Sequence, residues 1–267
     1  MGDEFDICHY GSTFGRDERL LMRITVKGTD DPSSIFPDTG NPSVPPYLKH
    51  LELEGFGVSQ FLKYRSRDYP SLGQSQRLFA QRLQDVLLNR VDSSCKHDMY
   101  LHDLVEHLVS ECCLNDGLDL YTRASKLPLT IAKQEFLVFS NKEGWNRKGI
   151  VWTLQECKLK FDNRYRKGDI QLAASLIAAC QANLHQRTGF NPRTMYGLKV
   201  LGEEFFFCKI DFDTDYPIHI LNGPPKHELI FHRYPHNRGL RISKEHDRKM
   251  FLYLMFRLRE HSLQSLH

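Results

Sequence analysis

Glu156 and Lys158 are the residues of this chain whose types and spacing most readily do chemistry. They stand two apart near the end of Ile150-Val-Trp-Thr-Leu-Gln-Glu-Cys-Lys158, a run rich in β-branched and aromatic residues that reads as a strand, so their side chains leave the same face. A carboxylate and an ammonium at the end of an otherwise apolar strand are costly to bury without partners. Glu135 lies on the preceding strand-like segment, at a position that hairpin pairing can bring alongside. Two carboxylates and an ammonium converging in this way suit a hard divalent cation, Mg²⁺ or Mn²⁺. Mg²⁺ takes one or two carboxylates with water and phosphate oxygens, and the backbone carbonyl of Cys157 adds a further ligand. The metal would polarise a phosphodiester and activate water. Lys158 would orient the nucleophile or stabilise developing negative charge. Gln171, early in the following helix, is placed to hydrogen-bond the water or the lysine. The basic loop with Arg164, Arg166 and Lys167 is placed to hold a backbone phosphate. In this form the enzyme reading requires Glu135 and Glu156 to come within shared-metal reach of each other and of Lys158. The bland alternative is a strand-end ion pair worth little. Asp247-Arg-Lys249 shows how easily an acid-x-lysine triplet arises in the same chain.

The elements that must position these residues follow from pattern. Leu129–Phe139 reads as a strand, Asn141–Gly149 as turn chemistry and Ile150–Lys158 as its antiparallel partner. Asp169–Asn183 reads as a helix of about four turns with Asp169 as N-cap, its small residues allowing close approach to a sheet. Upstream, Ser75–Val91 and His97–Cys113 carry apolar residues at helical spacing. Downstream, Met195–Leu201 and Glu204–Phe212 read as strands around Gly202-Glu203, Glu228–Tyr234 as a last strand and Lys244–His261 as an amphipathic helix. Leu20–Val26 reads as a strand and Tyr47–Ser66 holds one short helix. Between them, the Pro- and Gly-rich stretch 28–46 reads as a linker, giving an N-terminal extension of 1–71 and an α/β domain of 72–267.

Composition narrows the class. The 267 residues, with 40% hydrophobic and 26% charged, are those of an ordinary globular chain, and a net charge of +3 does not by itself indicate nucleic-acid binding. Seven cysteines without CxxC pairs fit reduced thiols and an intracellular location, the nucleus included. No signal peptide or membrane span is recognisable, and no membrane partner is expected. His227, His232, His236 and His246 lack metal-ligand spacing, no Gly-rich phosphate loop occurs, and the basic C-terminal residues Arg238 to Arg259 read as a solvated helix face.

Glu135, the strand ending Gln-Glu-Cys-Lys158 and the helix containing Asp-Ile-Gln171 together resemble the signature of the PD-(D/E)XK, restriction-endonuclease-like nuclease superfamily. More narrowly, Leu154–Lys158 with the alanine-rich stretch to Asn183 and the segment Tyr196–Ile210 resembles a group of fungal members. Related domains occur in Crinkler-type effectors and mobile-element proteins. The resemblance covers Asp98 to Phe212. It implies a restriction-endonuclease-like α/β core, a central mixed sheet flanked by helices, here with an N-terminal extension and a C-terminal helix. It also implies a metal-dependent nuclease acting on DNA or RNA, with a carboxylate added from the first helix, Glu106 or Glu111, Glu106 being preferred. Many members bind without cutting. A catalytically inactive nuclease-fold module that binds nucleic acid or a partner protein is therefore the alternative.

Overall fold

Ile150–Glu156 is a strand buried on both faces: Ile150, Val151, Trp152, Thr153 and Leu154 are all inaccessible, as in the centre of a sheet covered on two sides. The computed structural model describes residues 14, 16–37, 42–89, 96–156, 164–185, 193–213 and 215–265, without the side chains of 96–98 and 164–167. In chain order they form helix α1 (Arg16–Leu21), strand β1 (Ile24–Gly28), α2 (Val58–Leu62), α3 (Gln74–Leu88) and α4 (Lys96–Glu111). The strands β2 (Tyr121–Ile131), β3 (Gln134–Trp145) and β4 (Ile150–Glu156) come next, then α5 (Arg164–Leu184), β5 (Thr194–Leu201), β6 (Glu204–Asp211) and α6 (Tyr216–Asn222). The chain closes with β7 (Leu229–Tyr234), the short β8 (Leu240–Arg241) and α7 (Glu245–Gln264).

The strands make one open mixed sheet in the order β1-β7-β6-β5-β4-β3-β2, with β8 paired to β6. β2, β3 and β4 form an antiparallel meander, β4 and β5 are parallel, and β1 is parallel to β7. A parallel pair needs a crossover, which α5 supplies. From Leu172 to Cys180 this helix is buried throughout, with Ala173, Ala174, Ala178 and Ala179 bringing it down onto the sheet. At Gly197 the approach is so close that a Cβ would meet Leu172 at 2.9 Å. Two side-chain amides clip α5 to strands in bidentate fashion. Asn183 accepts from Ile150 N at 2.8 Å and donates to its carbonyl at 2.7 Å, and Gln181 does the same for Thr130 at 2.9 and 3.0 Å.

The other face carries α3, α4 and α7 over Trp152, Leu154, Phe205 and Phe207. Ile35 and Phe36, from the stretch read as a linker, are fully buried in this layer, and β1 extends the sheet. Among the described residues no helix is long and apolar enough to cross a membrane.

Three local expectations are corrected. The strand read as Leu129–Phe139 is a hairpin, turning at Ala132 and Lys133 with φ of 48° and 66°. Asn141–Trp145, read as turn chemistry, continues β3, so that the turn to β4 is confined to the residues after Trp145. Asp169 is not an N-cap: α5 begins at Arg164, and the stretch read as a basic loop is its first turns.

Candidate functional site at the C-terminal end of β4

β1, β4, β5 and β7 run parallel to one another, so their C-terminal ends share one edge of the sheet, the edge at which open α/β sheets present ligand sites. Glu156 ends β4 there. Its backbone N–H donates to Asn141 Oδ1 at 2.9 Å, and its side chain, 9% exposed, lies under α4. Burial raises its pKa above the ordinary carboxylate range, against the opposing pull of His102 and Lys142. Its Oε1 is shut off from solvent and accepts no well-formed hydrogen bond.

Three further side chains converge on it. His102 and Glu106 stand one turn apart on α4, and His102 places Nε2 3.4 Å from Glu106 Oε1 and Nδ1 3.5 Å from Glu156 Oε1. A neutral imidazole carries one N–H, so the ring can donate to both carboxylates only when protonated. Lys142, buried on β3, bonds Glu106 through its ammonium. Its direction comes from a bulge: Arg123 pairs with Glu143 and Ser125 with Ser140, leaving Asn141 and Lys142 opposite a single residue. Lys142 therefore pairs with Leu154 and faces α4. Glu143 turns to the α5 side, where Ser125 and Trp145 bond it.

The expected site is only partly assembled. Glu135 does not approach Glu156. It is exposed, pairs with Thr130 near the hairpin turn, and lies about 17 Å along the strand from the level of Glu156 at ~3.4 Å per residue. The register error has a physical cause, since β3 is longer than its apolar pattern suggests and its polar end, not Glu135, meets β4. Glu106 reaches the cluster, whereas Glu111 bonds His50 Nε2 at 2.9 Å. Gln171 belongs to the α5 layer on the opposite face, its carbonyl accepting from Ser175 Oγ at 3.0 Å. Cys157 and Lys158 lie outside the described residues, as do the side chains of Arg164, Arg166 and Lys167. Lys142 and His102 are additions that the sequence signalled weakly: a His and a Glu at i, i+4 on a helix, and a lysine inside apparent turn chemistry.

Glu106 and Glu156 alone do not fit the metal set that the sequence implied. The strand beside Glu156 presents Ser140, Asn141 and Lys142 instead of a carboxylate, and the Lys142 ammonium already neutralises Glu106. Among the described residues no three His, Cys, Asp or Glu side chains are gathered to hold a metal ion.

On the α5 side of the same edge, Asp169 is fully buried and bonds both Lys199 and Arg233, whose cations also lie 4.5 and 5.7 Å from the Phe206 ring. This group ties α5 to β5 and β7. No protein-family model matches this chain, and no curated protein matches it.

Proposed function

We propose that this chain is a restriction-endonuclease-like module that binds nucleic acid at the C-terminal edge of β4 without hydrolysing it. The observation that carries this reading is Lys142: where an acid on the neighbouring strand would join Glu156 around a metal, a lysine stands bonded to Glu106. The order α4, β2-β3-β4 meander, α5 and parallel β5 supports the superfamily, since it sets a strand that ends in Glu156 at the ligand edge between two helices. The basic residues Arg164, Arg166 and Lys167 lie in the first turns of α5, the next described element after that strand, which favours a polyanionic ligand.

A second reading, the metal-dependent nuclease, is favoured by one observation. The buried Oε1 of Glu156 has no well-formed hydrogen bond, and a raised carboxylate pKa in such a place is common at active sites. In that reading Glu106 and Glu156 replace Glu135 as the acidic pair.

The test is incubation of labelled single- and double-stranded DNA and RNA with the protein in Mg²⁺ or Mn²⁺, beside Glu156→Gln. Intact substrates in every lane, together with retained binding, are the expected result. Cutting that vanishes in Glu156→Gln would establish the nuclease instead.

A further inference from the structure

The β2–β3 hairpin runs past the end of β4, and among the described residues no element packs over one of its faces. Leu127, Leu129, Phe136 and Val138 point to α5 and are buried, so the cross-strand pairs Lys126–Phe139 and Pro128–Leu137 point the other way. That is the face on which Lys142 and Glu156 lie. Leu137 and Phe139 are 40% and 37% exposed and lie on adjacent same-face positions, so they form a small apolar strip. Met99, 54% exposed, stands one turn before His102 on the α4 stripe that also carries Glu106. Exposed apolar side chains therefore border the charged cluster from both the strand side and the helix side.

The apolar strip carries its own cation. Lys126 Nζ lies 5.0 Å from the centroid of the Phe139 ring, and Lys133 sits at the hairpin turn, against the single acid Glu135 on this strand end. An aromatic ring with the Lys126 ammonium over one face, and Lys133 at the nearby turn, matches what an unpaired nucleotide offers: a π-face to stack and a phosphate to neutralise. A duplex buries its base faces and has no use for such a platform. An apolar protein segment would use the strip but not its cations.

Building on the nucleic-acid reading above, we infer that Phe139, Leu137 and Lys126 form a stacking platform for unpaired bases and that the ligand is a single-stranded nucleic acid. The bases lie over the hairpin, and the backbone runs beside Lys126 and Lys133. Selectivity for unpaired over paired substrate comes from Phe139, and Lys126 contributes salt-dependent affinity without base preference.

The test is fluorescence anisotropy with labelled oligothymidylate, oligouridylate and the matching duplexes, on wild type, Phe139→Ala, Phe139→Trp and Lys126→Ala. Far-ultraviolet circular dichroism confirms that each variant is folded. Single strands should bind wild type more tightly than duplexes, and Phe139→Ala should lose about tenfold on single strands, the scale of one stacked base. Phe139→Trp should keep affinity and show indole quenching, beyond that of wild type, when oligothymidylate is added. If wild type binds single strands and Phe139→Ala binds them equally well, or if duplexes bind more tightly, the platform is overturned while the nucleic-acid reading stands. If wild type binds no oligonucleotide at all, the nucleic-acid reading itself fails and takes the platform with it.

Discussion

Single residues in this chain are held in costly environments, and the two costs differ in kind. Arg248 is fully buried and donates to the backbone carbonyls of Glu52, Leu53, Phe56 and Ile242, which the fork geometry of a guanidinium suits and an ammonium does not. Burial lowers its pKa to about 10, which still leaves it charged at neutral pH. Arg248→Met should destabilise the fold by about 3 kcal/mol, because it leaves several buried carbonyls without donors; the shift in a urea midpoint measures it. Glu156 is a buried acid whose charged form burial likewise disfavours, here without a matching set of backbone partners for its Oε1. A raised native pKa means that the group's stabilising contribution is complete below the ordinary carboxylate value and is lost as pH rises through the raised one. Glu156→Gln should therefore match wild type near pH 4 and exceed it by about 1 kcal/mol at pH 7, the gap opening between the two. Equal stability at both pH values would show that His102 and Lys142 fully offset the burial.

At the scale of elements, α5 and the β2-β3-β4 meander set the site's geometry. Asn183 binds both polar groups of the Ile150 backbone at the start of β4, so Asn183→Leu leaves a buried N–H and C=O unpaired and should cost about 2–4 kcal/mol, read from thermal or denaturant unfolding. Gly144 lies against the Trp152 indole, where a Cβ would fall 2.0 Å from Trp152 Nε1, so Gly144→Ala should destabilise the β3–β4 pairing and broaden the near-ultraviolet tryptophan signal.

These elements also show which parts of the fold were legible. α3, α4 and α7 could be read from apolar spacing because each buries one stripe against the sheet, and β4 from its run of β-branched and aromatic residues. The β2–β3 turn could not, because Ala132 and Lys133 adopt positive φ without the Gly or Asn that usually announces it. Asn141–Trp145 reads as a turn by composition, yet pairing on both sides makes it strand. That single misreading placed Glu135 in the site and left Lys142 out. Glu156 itself was legible, because a carboxylate closing an apolar strand needs a reason; His102 was not, since its role depends on where α4 packs.

Across the whole molecule, the segment before Leu72 belongs to the same layers as the rest. Phe36 stacks on Tyr196 at 5.0 Å and touches Phe207 edge-on, linking the N-terminal stretch to β5 and β6. Phe36→Ala should cost about 3–5 kcal/mol and shift one cooperative transition rather than detach a separate N-terminal unit, which circular dichroism and tryptophan fluorescence followed together would show. The charged groups at the C-terminal sheet edge are likewise shared among α4, β3, β4, α5, β5 and β7, so binding there should report on the intact fold.

Nucleic-acid binding without cleavage is tested by the salt dependence of oligonucleotide binding to the wild-type protein, with recovery of the oligonucleotide afterwards. Log affinity should fall linearly with log salt concentration, as phosphate neutralisation requires, and the oligonucleotide should be recovered intact after incubation with Mg²⁺. Absence of binding at low salt, or cleavage that depends on Glu156, would contradict binding without cleavage.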